Sequence, residues 1–142
     1  MSQRLNNLNK IISVLWGGAE SYRSAARKTS KAELEKVFVE HAELREHVAR
    51  ELSRMVDEAG GEPASAAPTE KLHGVKTAVG AIFGDTETNL VHGLEEHEDR
   101  TLTAFREAIH HPDSSRDEAM LREFMQEFEK SHARMKEHKE EV

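Results

Sequence analysis

Glutamate and histidine recur in this sequence at spacings that could hold a metal pair. Glu95 and Glu98 stand three residues apart, and Glu129-Lys130-Ser131-His132 supplies a Glu-x-x-His. Glu20 and His41 lie in two further stretches of helical pattern. A helix turns once in 3.6 residues, so groups three apart share a face and converge on one ligand. Carboxylate oxygen and imidazole nitrogen suit iron, manganese or zinc. Two irons held this way could leave room for dioxygen between them.

Glu98 carries the most information. Residues 90–109 read as a helix whose apolar stripe is Val91, Leu94, Leu102, Phe105 and Ile109. At about 100° per residue Glu98 falls in the middle of that stripe, with Glu95 on its flank. A carboxylate on a core face is costly unless something pairs with it. The elements around it must therefore supply a partner.

Composition narrows the chemistry. The 142 residues suit one domain, 1–142, large enough for a core of its own. There is no cysteine, which excludes disulfides, thiolate metal sites and cysteine nucleophiles. The net charge is −7 and no basic stripe appears, so neither nucleic acid nor membrane is an expected partner. A homodimer stays open. Apolar runs are too short to span a bilayer and no signal-peptide core opens the chain, so a cytoplasmic location is expected. Nine histidines would, if all protonated, take the charge from −7 to +2. The 33% charged and 5% aromatic content favours helices over strands.

Four long helices are predicted. The first covers 3–28, with Leu5, Leu8, Ile12, Leu15, Ala19, Tyr22 and Ala26 as its stripe. Gly17 and Gly18 interrupt it, either to admit a neighbouring helix or as a local kink. Ser30 and Glu33 form a capping box for the second, 31–59. Its stripe of Leu34, Phe38, His41, Arg45, Val48, Leu52 and Val56 turns two polar residues inward, and Gly60-Gly61 stops it. After the loop 62–68 a short helix over 69–83 aligns Leu72, Val75, Val79 and Ile82. The third long helix runs from 85 or 86 to about 110. A second capping box, Ser115 with Glu118, opens the fourth, which runs to about 138 with Leu121, Phe124, Phe128, His132 and Met135 inward.

Short connections make the first two helices one antiparallel hairpin and the last two another. The connection between hairpins is about 25 residues, long enough to return along the bundle. That predicts an all-α, ferritin-like four-helix bundle with a long crossover carrying a short extra helix. In this topology Glu20, His41, Arg45, Glu95, Glu98, Glu129 and His132 fall within roughly 5–10 Å of one height.

Two arrangements fit that slice. In one, Glu20, His41, Glu95, Glu98, Glu129 and His132 bind metal, although the second helix has no Glu three residues before His41. In the other, Arg45 pairs with Glu98, His41 and His132 complete the hydrogen bonds, and Arg23 also leans inward. His47 with Glu51 has a hemerythrin-like spacing, but the first helix contains no histidine to match it. His92, His97, His110, His111 and His138 read as solvent-facing or as helix ends, and His73 as structural.

Several stretches together resemble a known family. They are Gly18-Ala19-Glu20-Ser21-Tyr22-Arg23 with Ala25-Ala26, the spacing of Phe38, Arg45 and Glu51-Leu52, and Gly60-Gly61. Leu72-His73, Gly84-Asp85, Glu95-x-x-Glu98-Asp99 and His132 complete the set. The chain resembles, over nearly its whole length, the small bacterial ferritin-like four-helix proteins grouped as a domain of unknown function. That resemblance implies a ferritin-like bundle and no particular activity. The expected function is a non-enzymatic stress or interaction protein with a polar bundle core. The alternative is a metal-binding relative with a di-iron, manganese or zinc carboxylate site, an oxidase or a metal store, so whether the chain is an enzyme stays open.

Overall fold

The computed structural model describes residues 3–64 and 87–141. The predicted short helix over 69–83 and the Gly84-Asp85 break lie outside the described residues. Four long helices form a bundle: α1 Gln3–Lys28, α2 Ala32–Glu58, α3 Glu87–His110 and α4 Glu118–Glu141. Among the described residues there is no strand, and no helix is long and apolar enough to cross a membrane.

The three-and-four spacing of apolar residues produces the expected inner faces. Leu8, Ile12, Leu15, Tyr22, Phe38, Val48, Leu52, Val91, Leu94, Phe105, Leu121 and Phe128 are all buried. The helix ends differ more from expectation. The residue capping α2 is Lys31, not Ser30, and it makes no side-chain cap bond. Instead Thr29 Oγ1 accepts the Lys31 N–H at 3.2 Å. Before α4 the chain winds as a 3-10 turn, Pro112–Asp117, so the α-helix starts at Glu118 rather than from a cap at Ser115. Asp117 is buried there and accepts from Arg4 Nε at 2.7 Å and Arg4 Nη2 at 3.0 Å. That bidentate pair ties the start of α4 to the start of α1.

Contacts give the helix directions. Tyr22 and Ser21 on α1 meet Glu98 and His97 on α3, whereas Arg4 meets Asp117 just beyond the other end of α3. So α1 and α3 are antiparallel, and α2, antiparallel to α1, runs parallel to α3. The end of α2 lies beside Leu5 and Asn9, where Gly61 faces Leu5 and Asn9 Nδ2 donates to Glu62 O at 3.0 Å. The start of α3 clusters with Tyr22, Ala25 and Leu34 at the opposite end. Helix α1 packs on α2 and α3, and α4 packs on α3 and, more loosely, α2, so α2 and α3 lie diagonally across the bundle.

The apolar interior is divided. One cluster holds Leu8, Ile12, Leu15, Leu52, Phe105 and Phe128. The other holds Tyr22, Phe38, Ala42, Val91, Leu94 and Met135. Between them lies a polar layer of Ser21, His41, Arg45, Glu98, Thr101 and Ser131, all buried.

Gly60 ends α2 at φ +84°, in the left-handed region, while Ala59 and Gly61 donate to Met55 O at 3.1 Å and Val56 O at 3.0 Å. A side chain at this φ is strained, so Gly60→Ala should destabilise the protein by about 1 kcal/mol. Denaturant melts check it: an unchanged midpoint would show that the left-handed end is not needed.

Candidate functional site

All four helices contribute to the polar layer and its surroundings, each by the stripe that its sequence dictates. Glu98 occupies a core position of α3, Tyr22 of α1, His41 and Arg45 of α2, and Ser131 of α4. Glu98 and Arg45 are both 0% exposed. Arg45 Nη2 lies 2.9 Å from Glu98 Oε2. That contact is not aligned as a hydrogen bond, so it acts through charge. Arg45 Nη1 donates to His41 O, one turn back, at 3.0 Å.

The other carboxylate oxygen collects hydroxyls. Tyr22 Oη donates to Glu98 Oε1 at 2.5 Å and Ser131 Oγ donates to it at 3.1 Å. Ser131 Oγ also meets His41 Nδ1. With its own proton given to Glu98, Ser131 accepts from His41 Nδ1–H, which sets the imidazole tautomer. His41 Nδ1 stands 3.8 Å from Glu98 Oε1, so the imidazole acts on the carboxylate through Ser131.

Aromatic faces complete the enclosure. Arg45 Cζ lies 4.5 Å from the centre of the Tyr22 ring and 5.1 Å from that of Phe128. The guanidinium thus sits between one ring from each apolar cluster, where its charge meets two negative π faces. Tyr22 also stacks on His41, with centroids 5.0 Å apart. Gly18 makes the room: a Cβ there would come within 3.1 Å of Arg45 Cδ and 3.2 Å of Arg45 Nε. The expected close approach at this glycine is therefore to a side chain. At Gly17 an added Cβ would meet nothing within 4 Å.

The six candidate metal ligands do not form one shell. His41 and Glu98 come together. Glu20 pairs with Arg27 at 3.4 Å, and Glu129 is exposed. Glu95, one turn before Glu98, and His132, next to Ser131, are both half-buried, and His132 Nδ1 is buried. Among the described residues no group of three or more His, Asp or Glu is gathered closely enough to hold a metal ion. The donor set does not fit a metal pair: the only fully buried carboxylate among the six already faces a guanidinium.

Arg23 and His97 lie elsewhere than their helix positions suggest. Arg23 turns away from the core to Glu46, donating from Nη2 at 2.7 Å and Nε at 3.0 Å. That contact holds the Glu46 carboxyl below its usual range, chiefly through the hydrogen bond. His97, expected at the surface, is half-buried against α1. Ser21 Oγ donates to Gly17 O at 3.1 Å and lies 3.2 Å from His97 Nε2, so the imidazole is the donor of the second bond. Ser131 was not singled out by sequence, although it follows Phe128 by three and precedes Met135 by four, the same stripe spacing.

The chain belongs to a family. It is the one described as a domain of unknown function (DUF2383), whose pattern matches residues 3–111. The matched span holds α1, α2 and α3, and with them Tyr22, His41, Arg45 and Glu98. No curated protein and no solved structure matches the chain.

Two titrations report on the layer. Burial, with the Arg100 and Arg45 charges, lowers the His97 pKa from 6.5 to about 4. Between those values the unfolded chain binds a proton that the folded one does not, so stability falls as pH falls from about 6.5 to about 4. The loss is at most about 3 kcal/mol. His97→Gln should flatten that slope in melts at a series of pH values, and an unaltered slope would contradict the assignment. Burial, then the Glu98 charge, pushes the Tyr22 pKa well above 10. Tyr22 is the only tyrosine, so all phenolate absorbance is its own. Above pH 10 the unfolded chain loses this proton first, and stability falls as pH rises. Phenolate absorbance should appear only together with unfolding. Its growth in a fully helical protein at pH about 11 would show an accessible hydroxyl.

Proposed function

We propose that this protein is a non-enzymatic, ferritin-like bundle of bacterial type that serves a stress response or an interaction, with a polar core that fixes helix register. The observation that supports this most is Arg45. Its guanidinium is fully buried and stands 2.9 Å from Glu98 Oε2, so a positive charge already faces that carboxylate. A second cation in that place would be repelled. Glu98 is itself fully buried and already accepts from Tyr22 and Ser131, which supports a structural role for this layer.

The competing reading, a carboxylate metal protein that oxidises or stores metal, makes an opposite prediction. Under the proposal Glu98→Ala leaves a buried guanidinium unpaired and should cost about 3–5 kcal/mol. Glu98→Gln should cost less, because shape and part of the hydrogen bonding survive. Added iron(II), manganese(II) or zinc(II) should not stabilise the wild type, and untagged protein should retain less than about one tenth of an equivalent after reconstitution. Denaturant melts and elemental analysis decide it. Stoichiometric metal that stabilises the wild type and is lost in Glu98→Gln would establish the metal reading instead.

A further inference from the structure

The outer side of the α1–α3 pair carries an open groove of about 540 Å³ that adjoins a recess of about 270 Å³. Lys10, Ala104 and Glu107 line both. Val14 and Ala104 give the groove an apolar floor, half-buried, while Lys10, Asp99, Arg100 and Glu107 stand exposed around it. Those four charges make no ion pair among the described residues, unlike the Arg23–Glu46, Arg122–Glu118 and Arg134–Glu40 pairs elsewhere on the bundle.

Their order along the helices is self-complementary. Consider a two-fold axis lying in the plane of this face, perpendicular to α3 and level with the link between Thr103 and Ala104, with α3 of a second copy antiparallel to the first. Residues equally far on either side of the axis then come level. Arg100 of each copy meets Glu107 of the other, and the small side chains of Thr103 and Ala104 at the axis permit close approach. The first helix extends the pattern. Ser21 is level with His97, so Lys10, eleven residues back, is level with Ala108. The same axis brings Asp99 of the second copy to that level, opposite Lys10. One symmetry operation thus brings each of the four charges level with an opposite one on the second copy. The area is sufficient as well. Helices of 26 and 24 residues offer a face of roughly 36 by 20 Å, close to the about 800 Å² that each partner buries in a standard dimer.

We infer that the α1–α3 face docks a second copy of this chain in a two-fold dimer held by Arg100–Glu107 and Lys10–Asp99 pairs. This surface lies outside the polar layer, so the dimer stands or falls independently of whether the core binds metal.

Sedimentation of the full chain at about 100 µM tests it. The wild type should have twice the 16.0 kDa chain mass. Arg100→Glu and Glu107→Arg should each weaken the dimer by about tenfold or more, because both copies then oppose like charges. The double variant should restore it, since the charges again alternate across the axis. Within one chain the two residues are about two turns apart, so the rescue can only act between copies. Circular dichroism should be unchanged in all three, as both positions are exposed. A wild type that stays monomeric, leaving the groove to some other partner, would overturn the inference. So would a dimer that both single reversals leave intact, or a double variant that remains monomeric.

Discussion

The bundle depends on one buried ion pair. Removing a guanidinium and a carboxylate from water costs several kcal/mol for each ion, and their attraction alone does not reliably offset it. Here the offset is distributed. Glu98 accepts from Tyr22 and Ser131, and Arg45 donates to His41 O and lies between two rings. Because α2 and α3 sit diagonally, the pair spans the centre of the bundle, while Tyr22 of α1 and Ser131 of α4 close on it from the other diagonal. All four helices therefore meet at a single carboxylate.

Under the function proposed above, this arrangement supplies register more than stability. Two apolar clusters of leucine, valine and phenylalanine can be repacked with modest loss, so they tolerate helices sliding past each other. The layer between them cannot. A slip of α2 by one turn, about 5.4 Å, would set Arg45 among apolar side chains and leave Glu98 without its cation. The penalty for a buried unpaired charge exceeds that for imperfect packing, so the layer selects one alignment of four otherwise permissive stripes.

This also explains what the sequence discloses. Glu98 and Arg45 are legible because each interrupts an apolar stripe, and a charge on a core face demands an opposite charge. Their height follows from helix rise and loop length. Tyr22 is legible as core but not as a donor, since periodicity places the ring and says nothing of where the hydroxyl ends. Ser131 is hidden because it and His132 are both near the inward direction of α4, and a single stripe cannot choose between neighbours. His97 is hidden for a related reason. Helix α3 packs on both α1 and α4, which widens its covered arc beyond one stripe and takes in the residue beside Glu98. Arg23 misleads in the opposite sense: its Cα leans inward, but a long side chain carries its charge along the surface to Glu46. At the helix ends, Lys31 takes the cap position in place of Ser30 because Thr29 already holds its amide.

The diagonal placement also says why the cation is an arginine. The backbones of α2 and α3 do not approach, so the side chain must cross the bundle axis while staying covered along its length. Arginine reaches that far, and its planar head can lie between the Tyr22 and Phe128 rings while one nitrogen serves His41 O and another serves Glu98. A lysine ammonium is a strongly hydrated point charge without a flat face, and it would gain less from two rings while losing more water. The arginine's width must then be accommodated on the far wall. Gly18 does this by presenting no Cβ where Arg45 Cδ and Nε pass. A glycine within a helix costs about 1 kcal/mol relative to alanine. That cost is small beside the cost of displacing a fully buried charge, so the glycine in α1, the arginine in α2 and the glutamate in α3 are parts of one solution.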